Sequence, residues 1–310
     1  MSCVAICVAT CRRPRGLTRL LRALDVLSLA YDPGVAVSLV IVDNDPARAA
    51  PPSRAALDAD CRWPIQLLVE DRRGIAFARN AAVRVAREQG IDLLAFIDDD
   101  EVPEPRWLDE LLRVMAEFKA DVVTGPVLPL FEVDPPAWIL RGRFFDRPRH
   151  TTGTCLRHAR TGNALVRLAV LDGLAAPFDE RRALSGGEDT HLFVRLVDAG
   201  RRIVWADEAL VYEWNPATRL NTSWLLRRAF RGSAIWCSIE SEFRPGLGTR
   251  MIRVAKAIGR IVQGAVLLPI GVMAGRHLLV QSLRTLSIGV GSLAGMLGLR
   301  YDEYRDTRGD

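Results

Sequence analysis

The feature that most constrains this chain is a recurring unit: a short, almost wholly apolar run ending on polar or acidic residues, then a segment with apolar positions at helical spacing. Val4 to Thr10 is the first run. After Cys11-Arg12-Arg13-Pro14 breaks it, Leu17, Leu20, Leu21, Leu24 and Leu27 recur three and four residues apart, the spacing of one helix face. Val35 to Val42 ends in Asp43-Asn44-Asp45-Pro46, and Ile65 to Val69 ends in Glu70-Asp71. Ile75 to Glu88 reads as an alanine-rich helix closed by Gly90, and Ile91 to Ile97 leads into Asp98-Asp99-Asp100. Runs that are apolar throughout suit strands buried on both faces. Their alternation with helices predicts a doubly wound, mainly parallel α/β sheet with ligands outside the carboxyl ends of its strands. Three acidic strand ends would share that edge.

The remainder continues the pattern with one interruption. Trp107, Leu108, Leu111, Leu112, Met115 and Phe118 mark a helix, and Asp121 to Val127 a strand. Pro129 to Arg160, rich in proline, arginine and aromatics, is expected to form an irregular loop or lid. A helix begins near Glu188, with Leu192, Phe193, Leu196 and Val197 on one face, and ends at Gly200; Ile203 to Ala206 and Leu210 to Trp214 are short strands. With 310 residues, 49% hydrophobic and 25% charged, the chain has room for one large α/β domain and an appendage, which excludes small disulfide scaffolds and wholesale disorder. The six cysteines include no CxxC pair, so reduced thiols are expected and a zinc site is not. The first apolar run is too short for a signal peptide, and the main domain is expected on the cytoplasmic side.

A net charge of +5 and pI of 9.1 could point to nucleic acid, but the distribution argues against it. Between Trp224 and Arg300 ten arginines and Lys256 face only Glu240 and Glu242, so the excess belongs to the C-terminal quarter. There, Arg250, Arg253, Lys256 and Arg260 fall on one side of a helical wheel and Leu247, Met251, Val254, Ile258 and Ile261 on the other. Two uncharged stretches follow, Ile261 to Gly275 and Thr285 to Leu299, each about 22 Å long as a helix and short of the roughly 30 Å apolar core of a bilayer. A helix in the membrane interface or a re-entrant hairpin fits. A helical subdomain packed on the main domain or a second subunit is the other reading. The expected division is a catalytic domain over 1–232 and a basic, apolar helical region over 233–310.

Adjacent carboxylates at the end of a buried strand repel one another and lose solvation, which is costly unless a cation compensates. A hard divalent ion such as Mg²⁺ or Mn²⁺ would do so for Asp98-Asp99-Asp100; a solvated acidic turn is the alternative. Glu188-Asp189, after Gly186-Gly187 at a helix start, can serve as capping acids favoured by the helix dipole or as a proton acceptor. Arg79-Asn80 reads as a solvated pair on the exposed face of its helix, and Thr161-Gly162-Asn163 either approaches a ligand or forms a turn.

Taken in order, the strand ending in Thr10, Val42-Asp43-Asn44-Asp45, Gly74-Ile75-Ala76-Phe77-Ala78-Arg79-Asn80, Phe96-Ile97-Asp98-Asp99-Asp100 and Gly186-Gly187-Glu188-Asp189 resemble the inverting family 2 glycosyltransferases, over Val4 to about Gly232. The Phe96 to Pro103 segment, Gly125-Pro126-Val127 and Gly186 to Thr190 look most like the cytoplasmic glucosyltransferases that build succinoglycan-type exopolysaccharide repeats on a lipid carrier. The resemblance implies a GT-A nucleotide-sugar fold, a UDP-sugar donor and Mg²⁺ or Mn²⁺. It implies that Asp98 and Asp100 hold the metal, Asp98 also reaching the donor ribose. Thr10 and Asp43 would bind uridine, and Arg73 the base or a phosphate. Asp189 would be the base and Glu188 its orienting neighbour.

Arg228-Ala229-Phe230-Arg231-Gly232 falls where processive relatives carry QxxRW; Arg replaces Gln and Gly replaces Trp, which favours single addition and leaves Arg228 or Arg231 as a phosphate contact. The expected activity is transfer of a sugar, glucose by this resemblance, from UDP to a lipid-linked or polysaccharide acceptor with a β-linkage. It would take place at the cytoplasmic face of the inner membrane, on a membrane surface bound through the C-terminal helices. The rivals are a nucleotidyltransferase, whose glycine-rich phosphate loop is missing after the first strand, and a catalytically silent membrane-bound nucleotide-sugar binder.

Overall fold

The computed structural model describes residues 2–47 and 61–299. In chain order the elements are β1 (Cys3–Thr10), α1 (Pro14–Asp25), β2 (Ala36–Asp43), β3 (Ile65–Val69), α2 (Ile75–Glu88), β4 (Leu93–Phe96), β5 (Glu101–Pro103), α3 (Trp107–Glu117), β6 (Val122–Thr124) and β7 (Val127–Phe131). There follow α4 (Ala137–Gly142), β8 (Cys155–Leu156), β9 (Ala164–Arg167), α5 (Glu188–Asp198), β10 (Ile203–Trp205), β11 (Val211–Asn215), α6 (Thr222–Phe243), α7 (Leu247–Ala274) and α8 (Arg276–Met296). The described residues form two compact units, one comprising residues 2–47, 61–128 and 147–213, the other 129–146 and 214–299. The expected boundary at 232 lies inside α6, which runs unbroken through it.

The first unit is built on an eight-stranded sheet in the order β3-β2-β1-β4-β9-β6-β10-β8. β3, β2, β1 and β4 are parallel neighbours, and β9 runs antiparallel between β4 and β6. Successive side chains on β1 point to opposite faces. Val4, Ile6 and Val8 therefore join Leu17, Leu20, Leu21 and Leu24 of α1 and Trp107, Leu108 and Leu111 of α3, whereas Ala5 and Cys7 join the alanines of α2 and Leu192, Phe193 and Leu196 of α5. Both faces are covered, which is why these strands carry almost no polar residue between their ends. The parallel register sets Thr10 opposite Asp43 and Asp43 opposite Val69, so the polar strand ends line one edge.

β5 pairs antiparallel with β11, forming with β7 a small second sheet. The sequence places no strand between Ile97 and the helix at Trp107; the chain turns at Asp99 and Asp100 and resumes as the short strand β5. Part of the expected irregular region is ordered as β7, α4 and β8.

The second unit is helical. Ile139, Phe144 and Phe145 pack with Leu225 and Val280, and the rings of Phe145 and Trp224 stack at 5.5 Å. α7 has 28 residues, about 42 Å at 1.5 Å per residue, and passes through Pro269 without a break. It is thus longer than the uncharged stretch read from the sequence, and it is the one helix among the described residues long and apolar enough to cross a membrane. Of the four basic positions on the helical wheel, one turns inward. Arg253 is buried, donating to the backbone oxygens of Glu240 (2.8 Å) and Arg244 (2.9 Å), while Leu247, Met251 and Ile258 are exposed. α7 meets α8 through glycine: a Cβ at Gly264 would stand 2.6 Å from Leu286 Cγ.

Candidate active site

The site grows from the carboxyl edge of the large sheet. Thr10, the last residue of β1, donates its hydroxyl to Asp99 Oδ2 at 2.8 Å, and Arg13 Nη1 donates to Asp99 Oδ1 at 2.9 Å and Asp100 Oδ2 at 3.3 Å. Asp99 is therefore the anchored member of the triplet. It is buried, and burial pushes its carboxyl up to about 7, with Arg13 opposing and Asp100 adding to the shift. Glu101, also buried, accepts from the Asp98 backbone N–H at 2.8 Å; burial, then the charges of Asp98 and Asp100, holds it well above the usual carboxylate range. Asp98 and Asp100 remain partly exposed on either side of the anchored acid.

Arg79 joins this loop to the second acidic motif. It is buried on α2, donates Nη2 to Asp98 Oδ1 at 2.8 Å, and is ion-paired through Nη1 with Glu188 Oε1. The reading of Arg79-Asn80 as solvated is corrected. In an alanine-rich helix, small side chains let neighbouring backbone approach closely, so a long polar side chain is enclosed rather than exposed. Asn80 likewise clasps Phe178, donating to its carbonyl (2.9 Å) and accepting from its N–H (3.0 Å).

Gly186 and Gly187, at φ of 78° and 84°, turn the chain into α5 and present Glu188 and Asp189 in its first turn. Glu188 is 2% exposed; burial pushes its carboxyl up to about 7 against the pull of Arg79, and Asp189 adds to the shift. Its Oε2 has no hydrogen-bond partner among the described residues. Asp189 is half-buried, its Oδ1 accepting from the Thr190 N–H at 2.6 Å. His191 is buried one face away, with Nε2 3.9 Å from Asp179 Oδ2.

At the other end of the edge, Asp43 is buried at the end of β2 and accepts from the Asp45 N–H at 3.1 Å. Asn44, to which the sequence reading assigned no role, ties three segments. Its Nδ2 donates to the carbonyls of Glu70 (2.9 Å) and Arg72 (2.8 Å), and its Oδ1 accepts from Gly74 N–H (2.7 Å). Arg73 is half-buried beside Gly74, whereas Arg72 turns to Glu70 and stacks on Phe77.

Thr161-Gly162-Asn163 resolves as a buried turn. Asn163 accepts from Trp107 Nε1 at 2.8 Å and donates to the carbonyls of Ala209 (2.7 Å) and Pro126 (3.0 Å), a staple within the fold. Arg228 and Arg231 belong to the second unit, where Arg228 lies over the Trp224 ring at 5.1 Å from its centroid.

Arg13 thus ties Thr10, Asp99 and Asp100 together and Arg79 ties Asp98 to Glu188, the two groups meeting along the chain between Asp98 and Asp99. The site's oxygen-rich donor set suits a hard divalent ion, and burial holds three of its carboxyls, Asp99, Glu101 and Glu188, above the usual range. Asp98 and Asp100 are the pair with accessible oxygens.

Such a fold, with an acidic loop and an acidic helix start at the carboxyl edge, is that of the GT-A class. Residues 5–174 match the family described as Glycosyl transferase family 2, and the chain belongs to it. It is 31% identical over 311 residues to the succinoglycan biosynthesis protein ExoM of Rhizobium meliloti (strain 1021), spanning 98% of this chain and 96% of that protein. Among solved structures, S. aureus TarS 1–349 in complex with UDP aligns with a TM-score of 0.53 at 13% identity, covering 96% of this chain and 92% of that one. The same protein with UDP-GlcNAc gives a TM-score of 0.50. At such identity the likeness concerns the fold.

Proposed function

We propose that this glycosyltransferase transfers a sugar from a UDP-sugar to a hydroxyl of a lipid-linked saccharide with inversion, giving a β-linkage in exopolysaccharide synthesis. The observation that carries the reading is the Arg79 bridge, which joins Asp98 of the acidic loop to Glu188, the neighbour of Asp189. The nucleotide-bound forms of TarS support a UDP-sugar donor, and the relation to a succinoglycan biosynthesis protein supports the polymer class.

In this reading Thr10, Asp43 and Arg73 bind the nucleoside end, Asp43 accepting from the uracil N3–H. Asp98 and Asp100 would hold Mg²⁺ or Mn²⁺, which supplies positive charge for the leaving diphosphate. Asp189 takes the proton of the acceptor hydroxyl as its oxygen attacks the anomeric carbon opposite the departing diphosphate. Glu188, fixed by Arg79, orients the helix start that carries Asp189. Arg228 and Arg231 offer planar donors for phosphate, and glucose is the expected sugar. Domain 1–232 is read as catalytic and 233–310 as the membrane-facing part, with the exposed apolar side of α7 toward lipid at the cytoplasmic face of the inner membrane.

The test is incubation of the protein with radiolabelled UDP-sugars, UDP-glucose and UDP-GlcNAc among them, and membrane lipid extract. Label should enter the lipid fraction only with a divalent ion. Asp189→Asn should lower transfer by a factor of about 10³ with UDP affinity unchanged. Label that never reaches lipid with any donor sinks the reading, and full activity of the variant removes Asp189 from the mechanism.

A further inference from the structure

The loop between β1 and α1 carries two adjacent arginines that reach two different groups of acids. Arg12 has a left-handed backbone, φ 57°, a conformation that a residue with a side chain keeps only where its surroundings fix it. Asp45, just past the end of β2, does so by gripping the guanidinium, Nε to Oδ2 at 3.0 Å and Nη2 to Oδ1 at 2.9 Å. The Asp45 N–H is bonded in turn to Asp43, so the loop is fastened to the end of β2. Pro14 opens α1 immediately after Arg13 and restricts the backbone of the residue before it.

From this mount Arg13 points to the loop after β4. Its Nη1 serves two acids, Asp99 Oδ1 at 2.9 Å and Asp100 Oδ2 at 3.3 Å. The members of this cluster differ in how firmly they are held. The Asp99 side chain is 5% exposed and is also fixed by the Thr10 hydroxyl at 2.8 Å. The Arg13 side chain is 32% exposed and ends a long, flexible stem. If one partner in the cluster is to move, it is Arg13.

We propose that Arg13 is a further donor-binding residue: it competes with the divalent ion for Asp100 and, once displaced, turns its fork to the donor diphosphate. The inference rests on the reading of Asp98 and Asp100 as metal ligands. Like charges within about 4–6 Å disfavour one another, so a guanidinium and a divalent ion exclude each other at one carboxylate. The nucleoside end of the donor is read at Thr10 and Asp43 and the ion at Asp98 and Asp100, so the diphosphate spans the interval between them. Arg13 stands in that interval, touching Asp100 directly and Thr10 through Asp99. Its planar fork matches phosphate oxygens. Swinging the side chain from carboxylate to phosphate exchanges one anionic acceptor for another, while Arg12 on Asp45 keeps the backbone in place.

The test measures Mn²⁺ binding to the full chain by electron paramagnetic resonance, first without nucleotide. Arg13→Ala should bind Mn²⁺ about tenfold more tightly than wild type, because a neighbouring charge changes the cation affinity of a carboxylate by at least about that factor. With Mn²⁺ saturating, the same variant should bind UDP about tenfold more weakly in calorimetry, the value of one charge-assisted hydrogen bond. Arg13→Lys, which keeps the charge without the fork, should leave Mn²⁺ affinity near wild type and still lose UDP affinity. Adding Asp100→Ala to Arg13→Ala should remove the gain for Mn²⁺. Changes of opposite sign for the two ligands separate competition from damage to the fold, which would weaken both. Mn²⁺ that binds Arg13→Ala no more tightly than wild type, or UDP that binds it as tightly, overturns the proposal. Failure of the donor reading would appear separately, as a wild type whose UDP binding does not respond to Mn²⁺.

Discussion

Arg79 shows how one side chain decides whether two acidic motifs make one site. Its guanidinium satisfies Asp98 and Glu188 at once from a buried position. Removing one partner of a buried ion pair leaves the other charge uncompensated, at a typical cost of 3–5 kcal/mol. Arg79→Ala should therefore lower unfolding stability by about that amount in denaturant titration. Adding Glu188→Gln should restore part of it, because the orphaned charge is gone. Asp100 makes a contrasting case. It is partly exposed and accepts from Arg13 Nη1 at 3.3 Å. Asp100→Ala should leave the melting temperature within a few degrees of wild type while abolishing the Mn²⁺ dependence of UDP binding by calorimetry. A melting temperature that collapses would make Asp100 a structural residue.

At the level of elements, loops are positioned by close backbone approach. Gly74, at φ of 137°, precedes α2, and a Cβ there would meet Ala183 Cβ at 2.5 Å and its carbonyl oxygen at 2.8 Å. Ile75 N–H bonds that same carbonyl at 3.2 Å. Gly74→Ala brings both an unfavourable φ and a collision with backbone, and should cost about 2 kcal/mol or more in unfolding stability. Strand ends and helix periods are legible: the strand–helix alternation sets Thr10 and Asp43 on one edge, and α2 has the bounds that its composition implies. Asn44, Asn163 and Arg79 were not legible. Each is a polar residue whose partners lie some 20 to 110 positions away, and a local pattern carries no information on what encloses it. For Asn163, three distant groups, the Trp107 indole and the carbonyls of Pro126 and Ala209, converge on one amide.

For the molecule as a whole, the second unit reverses the rule that apolar faces turn inward. On α7 the buried positions include Arg253, Ala257, Gly264 and Gly271, while Val266 is 65% exposed and Met273 90%. Close packing on α8 through glycines and on α6 through Arg253 leaves Val266, Met273 and others of the large apolar side chains mostly exposed. With a relative in exopolysaccharide synthesis, this is compatible with membrane association. If lipid covers that face, Val266→Glu should abolish flotation with anionic phospholipid vesicles without lowering the melting temperature. A variant that still floats would place the apolar face against something other than a bilayer.

By itself the sequence determined the strand–helix alternation of the first hundred residues, the acidic edge and the family, since each is written in residues close along the chain. Tertiary structure alone decided which acids are anchored and which are accessible, that an arginine on an alanine helix joins them, and which side of α7 is outside. Those outcomes depend on desolvation and on contacts between distant segments, and neither exists until the chain has folded.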